Sequence, residues 1–504
     1  MTEDSRRVVQ AVEEPRKHET VGFDSLADLI VARMIPAVLT RHVPGMAAWS
    51  AATLLRALRE ASVTMLAAIA TLLCALAIAP GPGPAVLAVV LCLSLSRSHL
   101  DRDLRGRIEA AVVLPVIGLV AVGVGMLLLR APWLGACVFV TGMFVSIWLR
   151  RFGPMARRAG SLIALPFVVL LTTPHIQAAP ASSIPTLLIP ILIALLALLW
   201  VSVLHALARR MRLLPPVRVA ERPAPAPARE SSMHPIASTR MAIQMAVALA
   251  TSFVVGYVFF TERWAWIVLT AFIVISGNRG RLDVAYKSVL RVLGAAAGTV
   301  VALTLTLHVG SHDMTTVVLI LAAIFIGLWL RPLGYAWWAL FVTIALALLQ
   351  GFAGSSAPRI LWPRLEEIVI GAIIGVISAW FVLPVRSTAV LRRRLADALA
   401  ALADSLDPAN PVRTPAGFAA AVAEVEQLAP AFRASRLVTR RFQVVQPADW
   451  VDALMACRAP ALALIEKGET PGGVRRTIGA ARKSMRDPVE LLPALQDLHR
   501  ALTE

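Results

Sequence analysis

Charged residues are scarce in this chain. They make up 16% of the 504 residues, whereas soluble domains carry about 25%. Apolar residues make up 58% and fall in long runs, so we expect an integral membrane protein. The charged first 45 residues contain no short apolar segment followed by a small-residue cleavage site, which argues against a secretory signal peptide.

Cysteine is rare, and the familiar catalytic motifs are missing. Cys74, Cys92, Cys137 and Cys457 show no paired spacing typical of a disulfide framework or a zinc site. The sequence contains no Gly-rich phosphate loop with Lys-Ser/Thr, no His-Glu-x-x-His and no Gly-x-Ser-x-Gly. We therefore expect that the chain is not an enzyme, that it binds no cofactor or metal, and that it does not by itself drive transport with ATP.

Acidic residues are outnumbered by basic ones, 31 to 49, and the net charge is +18. The excess lies between the apolar runs rather than in one basic domain, so we expect no nucleic acid partner. Of the 26 basic residues in 46–385, only Arg130, Arg263, Arg359 and Arg364 fall on the outer side when the N-terminus is inside. The positive-inside rule then predicts that both termini are cytoplasmic.

The apolar runs predict about 12 transmembrane helices in two sets of six, since each crossing needs about 20 residues. They lie at about 61–79, 82–96, 108–129, 131–149, 159–178 and 183–205, and at about 241–260, 264–277, 288–308, 314–330, 336–353 and 365–384. The second run of each set is short. We predict an all-α integral membrane protein with the following parts: a cytoplasmic N-terminal segment (1–45), a first membrane repeat (46–208), a cytoplasmic Pro/Ala/Arg linker (209–239), a second membrane repeat (240–385) and a cytoplasmic helical domain (386–504).

Two nearly identical heptapeptides indicate an internal repeat. They are "IWLRRFG" at 147–153 and "LWLRPLG" at 328–334. A shift of 182 residues also aligns Arg97 with Arg279, Asp101 with Asp283 and Arg105 with Lys287. With six spans each, the repeats would enter the membrane in the same orientation, and transporters of this kind often place the substrate path between their halves.

The stretch 238–303, which begins "STRMAIQMAVALATSFVVGY", resembles the fusaric acid resistance family, also called the aromatic acid exporters. An Arg-led first span, an aromatic-headed second span, a basic loop and then Arg-x-x-Gly with a nearby Gly carry the resemblance, on Arg240, Trp264 or Trp266, Arg279 to Lys287, Arg291, Gly294 and Gly298. The resemblance implies a multi-pass bacterial inner-membrane protein that exports aromatic carboxylic acids, in some members with periplasmic partner proteins. Plant aluminium-activated malate transporters look like distant relatives, which leaves an anion channel open.

The first copy departs from this pattern. Glu109 aligns with Arg291, Val112 with Gly294, and "PGPGP" at 80–84 replaces the aromatic head of the second span. We therefore expect the first repeat to have lost part of a site or to have taken a structural role.

Candidate residues for an anion path are the basic and aromatic groups near the ends of the spans. Arginine binds carboxylates through a fork of N–H donors, and tryptophan can stack on an aromatic ring. The same residues also serve as topology signals and interface anchors. The candidates are Arg97, Arg105, Arg150, Arg279, Lys287, Arg291, Arg331, Trp264, Trp266 and Trp329.

Two further sets of residues have specific spacings. Asp101 and Asp283 each lie four residues from two cations, which predicts either a helix-stabilising charge ladder or a cytoplasmic gate. The pairs Gly294/Gly298 and Gly371/Gly375 predict close helix packing.

Ionisable residues deep in the spans are nearly absent, and Glu366 and Glu367 fall at a predicted span end. We therefore expect no buried carboxylate for proton coupling, since such groups usually lie inside the spans. The leading hypothesis is that the protein exports small organic anions such as aromatic carboxylic acids. We expect it to contact membrane lipid and, as a partner, either further copies of itself or a periplasmic efflux protein. A passive anion channel and a non-transporting membrane scaffold are the alternatives.

Overall fold

The computed structural model describes residues 51–98, 104–153, 184–214, 237–261, 263–306, 313–352, 357–407, 415–439, 445–468 and 472–504, and scattered positions between 156 and 171. Most of these residues are helical, and no strand occurs among them. In the membrane part the helices are α1 (Ala51–Ile78), α2 (Pro82–Ser98), α3 (Leu104–Arg130), α4 (Pro132–Trp148), α5 (Ile184–Arg210), α6 (Ala237–Phe259), α7 (Trp264–Ile275), α8 (Arg281–Thr306), α9 (Met314–Leu330), α10 (Tyr335–Phe352) and α11 (Ala357–Phe381).

Seven segments in the described ranges are long and apolar enough to cross a membrane: Thr53–Ile78, Pro132–Phe152, Leu188–Arg210, Ser238–Phe259, Arg281–Leu305, Met314–Leu333 and Tyr335–Phe352. Shorter apolar helices are Gly83–Ser96, Gly118–Arg130 and Trp264–Ile275. The expectation of an all-helical membrane protein is thus confirmed, while the layout of 12 spans in two repeats stays a prediction. The span predicted at about 159–178 lies largely outside the described residues.

The helix predicted at about 365–384 has a different start in the structure. In the structure, α11 begins at Ala357 and ends at Phe381. It starts about two turns earlier than predicted. Residues 357–367 are rich in charge, yet they are part of the same helix. Arg364, which was predicted in a connection between spans, therefore belongs to this helix, and Glu367 lies inside the helix rather than at its end.

The helices around α11 approach each other closely at four glycines. A Cβ at Gly371 would lie 2.6 Å from the carbonyl oxygen of Ile267 on α7, and one at Gly298 of α8 would lie 2.6 Å from that of Leu340 on α10. Gly294 faces Ala336 and Ala339 on α10, and Gly375 faces Val274 on α7. Because no side chain stands between them, α7 contacts α11 and α8 contacts α10 backbone to backbone.

The buried side-chain amide of Gln244 joins three segments of this bundle. Gln244 of α6 is fully buried and donates through Nε2 to the carbonyl oxygens of Val382 (2.9 Å) and Leu383 (3.2 Å), just after α11. Its Oε1 accepts from Nδ2 of Asn278, at 3.2 Å, in the connection between α7 and α8. Asn278 in turn accepts from the backbone N–H of Gly280. We call Gln244 and Asn278 the amide clasp.

Replacing Gln244 by methionine is expected to destabilise the protein by about 1–3 kcal/mol, because two carbonyl groups and one amide lose buried partners. The midpoint of thermal unfolding of the detergent-purified chain measures this loss. The matched control is Gln427→Met, since Gln427 is exposed and its side chain is replaced by one of the same length. Equal shifts for the two variants would show that the amide clasp contributes nothing specific.

The C-terminal residues form six further helices, α12 (Ser387–Ser405), α13 (Pro415–Glu426), α14 (Ala429–Thr439), α15 (Pro447–Lys467), α16 (Gly472–Lys483) and α17 (Pro488–Thr503). They share an apolar core that includes Leu395, Leu399, Phe418, Leu454 and Leu495. Burial in this core raises the pKa of the Cys457 thiol to about 12, so this cysteine stays protonated and unreactive at neutral pH.

The C-terminal helices contact the connection between α7 and α8. The backbone N–H of Leu282 donates to Oγ of Ser387 (3.0 Å), and that of Arg281 donates to the carbonyl oxygen of Val385 (3.2 Å). Nη1 of Arg279 donates to the carbonyl oxygen of Gln427, at 3.4 Å. The same connection therefore bonds both to the amide clasp and to the C-terminal helices.

Candidate functional site

The two Trp-Leu-Arg motifs lie at helix ends. Arg150 lies half-buried in a 3₁₀ turn (Leu149–Phe152) after α4, and Arg331 is exposed in a 3₁₀ turn (Arg331–Leu333) after α9. Gly153 and Gly334 follow with φ of 106° and 153°, values that favour glycine. The structure therefore uses both glycines to end a helix, and it does not bring the two arginines into its buried interior.

The basic connection before α8 is held by local bonds. Asp283 accepts from the backbone N–H of Arg279 (3.2 Å) and lies 2.8 Å from Nζ of Lys287. Because Arg279 precedes the first residue of α8, its guanidinium stands apart from this ladder and bonds to Gln427 instead. In the first half, Asp101 and the side chains of Arg97 and Arg105 lie outside the described residues.

The tryptophans named in the sequence have different neighbours. Trp264 packs in an aromatic cluster with Phe253 and Tyr257, with ring centroids 5.3 and 5.4 Å away. Trp329 donates through Nε1 to the carbonyl oxygen of Leu54 on α1, at 3.3 Å. Trp266 is 9% exposed and lies beneath a buried cation.

That cation is the guanidinium of Arg364, whose Cζ lies 4.0 Å from the centroid of the Trp266 ring. Arg364 is 2% exposed, and its Nη1 donates to Oε1 of Gln350 on α10, at 3.2 Å. A desolvated cation over a tryptophan gains about 2 kcal/mol from the ring. Trp266 and Gln350 thus fix the guanidinium of Arg364 between α7, α10 and α11.

A second buried cation acts on the first. Arg291 of α8 is also 2% exposed, and it interacts electrostatically with Arg364 across the packed helices α8 and α11. Nε and Nη2 of both arginines are buried and donate to no described residue. Four N–H-bearing nitrogens therefore lie in the bundle without an acceptor among the described residues.

One carboxylate lies next to this pair. Glu367 of α11 is 1% exposed, and its Oε1 lies 3.3 Å from Nε of Arg263, in the connection between α6 and α7. That ion pair is not an aligned hydrogen bond, since neither oxygen of Glu367 accepts one from the described part of the chain. We call Arg263, Trp266, Arg291, Gln350, Arg364 and Glu367 the buried charge cluster.

The buried charge cluster is suited to binding an anion. Burying an ion costs several kcal/mol unless it is paired, and the cluster holds two buried cations against one buried anion. A carboxylate between Arg291 and Arg364 would supply acceptors for the unpartnered donors and restore the charge balance. Its organic part would meet Trp266 and apolar helix surfaces.

Sequence reasoning selected two members of this cluster, Arg291 and Trp266, and missed the other four: Arg263, Gln350, Arg364 and Glu367. Arg364 was assigned to a connection and Glu367 to the end of a span, because charge interrupts the apolar run there. Their spacing of three residues, which places them on one helix face, was the available signal. No group of three or more potential metal ligands occurs among the described residues.

A family model matches part of the chain. Residues 247–378 match the sequence model of the family described as fusaric acid resistance protein-like. This range contains the whole buried charge cluster. None of the curated proteins matches the chain.

Proposed function

We propose, taking the fusaric acid resistance protein-like domain at residues 247–378 as the premise, that this chain is an inner-membrane transporter of small organic anions and exports aromatic carboxylates. The unpartnered donors of Arg291 and Arg364, buried between apolar helices of that domain, carry the proposal. An ionisable side chain buried inside a membrane bundle usually marks a functional site.

Each residue of the cluster has a defined task in this proposal. Arg291 and Arg364 bind the carboxylate, and Gln350 and Trp266 hold the Arg364 guanidinium in place. The basic connections, Arg279 and Lys287 among them, lie on the cytoplasmic side and attract the anion from there. The site lies within the second half of the chain, between α7, α8, α10 and α11, rather than between two halves.

Replacing Arg291 by methionine is expected to slow transport at least about tenfold, since a charge-assisted hydrogen bond contributes about 1.5–3 kcal/mol. Proteoliposomes containing the full chain are loaded with radiolabelled benzoate, 4-hydroxybenzoate or pyridine carboxylate, and the rate of release is measured. The matched control is Arg393→Met on α12, where the arginine is exposed.

The outcomes are distinct. Release by the wild type and by Arg393→Met, with loss in Arg291→Met, supports the proposal. Transport by Arg291→Met at the wild-type rate would remove Arg291 from the site. A wild-type protein that releases none of these acids contradicts the proposed function itself.

A further inference from the structure

Glu367 is an ionisable group that anion binding does not use. Its carboxylate is buried without an aligned hydrogen bond, and it lies one turn of α11 after Arg364, the proposed ligand of the anion. An ionised carboxylate in such a place is stabilised only by the cations near it. Its charge state therefore depends on what else those cations bind.

The charged groups that act on Glu367 come from three elements. They are Arg263 in the connection before α7, Arg364 and the exposed Glu366 on α11 itself and, through Arg364, Arg291 on α8. In the described part of the chain, the remaining helices packed on α11 add no further charged group to this list. Helices α7 and α10 contain no Asp, Glu, Lys or Arg, and Arg240 of α6 lies at the opposite end of its helix from Arg263. Tyr257 directs its hydroxyl to the carbonyl oxygen of Pro132 on α4, at 3.2 Å.

A carboxylate anion bound to Arg291 and Arg364 changes these surroundings in two ways. It brings a second negative charge close to Glu367, and two neighbouring carboxylates favour protonation of one of them. It also engages Arg364, so that this guanidinium stabilises the ionised form of Glu367 less. Both effects favour the neutral form of Glu367 when the site is occupied.

We propose that the site binds one proton together with each carboxylate anion, and that Glu367 accepts the proton. The proton comes from water, an O–H bond forms on a carboxylate oxygen of Glu367, and no bond of the transported anion is made or broken. By reciprocity, protonated Glu367 binds the anion more tightly, by the same factor. This inference rests on the proposed function.

The affinity of the detergent-purified full chain for benzoate, measured by calorimetry between about pH 5.5 and 8, tests the inference, because benzoate stays ionised in that range. One bound proton limits the change to about tenfold per pH unit, with tighter binding at lower pH. Glu367→Gln, which is permanently neutral, should bind at all pH values as tightly as the wild type does at low pH. The control Glu366→Gln, at the exposed neighbour, should keep the pH dependence.

A pH-indicator dye in weakly buffered solution provides a second readout that needs no variant. Addition of benzoate to the wild type should remove close to one proton from solution per anion bound at a pH where Glu367 is ionised in the empty site, and Glu367→Gln should remove none. Benzoate binding that neither depends on pH nor takes up a proton would overturn this inference, yet the proposed function would stand if Arg291→Met still abolished binding. Absence of binding to any of the three acids would overturn both.

Discussion

Replacement of Arg364 by methionine is expected to destabilise the protein by about 3–5 kcal/mol, because it removes a hydrogen bond from a charged donor and a buried cation–π contact. Gln350 and Trp266 lose their bound guanidinium, and Glu367 keeps only Arg263 as a nearby cation. Replacement of Arg291 by methionine should have the opposite or no effect on the empty protein, since its Nε and Nη2 lack acceptors among the described residues. The midpoint of thermal unfolding in detergent, without ligand, compares the two.

The double variant Arg364→Met with Glu367→Gln serves as the control for this comparison. Removing the negative charge as well should restore part of the lost stability, and the difference from additivity measures the coupling of the two side chains. In this proposal Arg364 stabilises the fold and binds the ligand, whereas Arg291 only binds the ligand. Equal destabilisation by Arg291→Met and Arg364→Met would contradict this assignment.

Replacement of Gly298 by leucine is expected to prevent accumulation of folded protein. Even the Cβ would lie 2.6 Å from the carbonyl oxygen of Leu340 and 2.9 Å from Cβ of Thr343, so α8 and α10 must separate along their whole contact. Overpacking a dense core costs about 1–3 kcal/mol or more, and here the backbone itself has to move. The yield of monodisperse protein after detergent extraction measures the effect.

The matched control for this variant is Gly123→Leu in α3, where a Cβ would meet no atom within 4 Å. This variant should accumulate like the wild type, since a leucine there has room. Similar yields of the two leucine variants would show that the α8–α10 contact tolerates separation.

The helices of the described part could largely be predicted from the sequence, because hydropathy is a local property. The short run at 264–277 was found as α7, Trp264–Ile275, and the fusaric acid resistance resemblance was confirmed over 247–378. The exact start of α11 could not be predicted in this way. In the sequence, the charges of Arg364 and Glu367 interrupt an apolar run. In the fold, Trp266 and Gln350 stabilise the charge of Arg364, and Arg263 stabilises that of Glu367.

The candidate site was only partly predictable for the same reason. Arg291 was selected because it precedes Gly294 in a family-like pattern, and this pattern is contiguous in sequence. The partners of Arg364 come from residues 14 and 98 positions away, Gln350 and Trp266. Such pairings depend on which helices pack together, and neither composition nor periodicity of a single segment contains that information.

The two Trp-Leu-Arg motifs share a sequence but have different neighbours. Trp148 packs edge-on against Phe152 and beneath Arg151, both in its own turn, whereas Trp329 hydrogen-bonds to Leu54 on α1, 275 residues away. If the motifs descend from one ancestral segment, their tryptophans have since taken different roles. Trp148 stabilises its own turn, and Trp329 binds a helix distant in sequence. In evolutionary terms, such a division would preserve both copies of the motif, because each tryptophan would then make a contact that the other does not make.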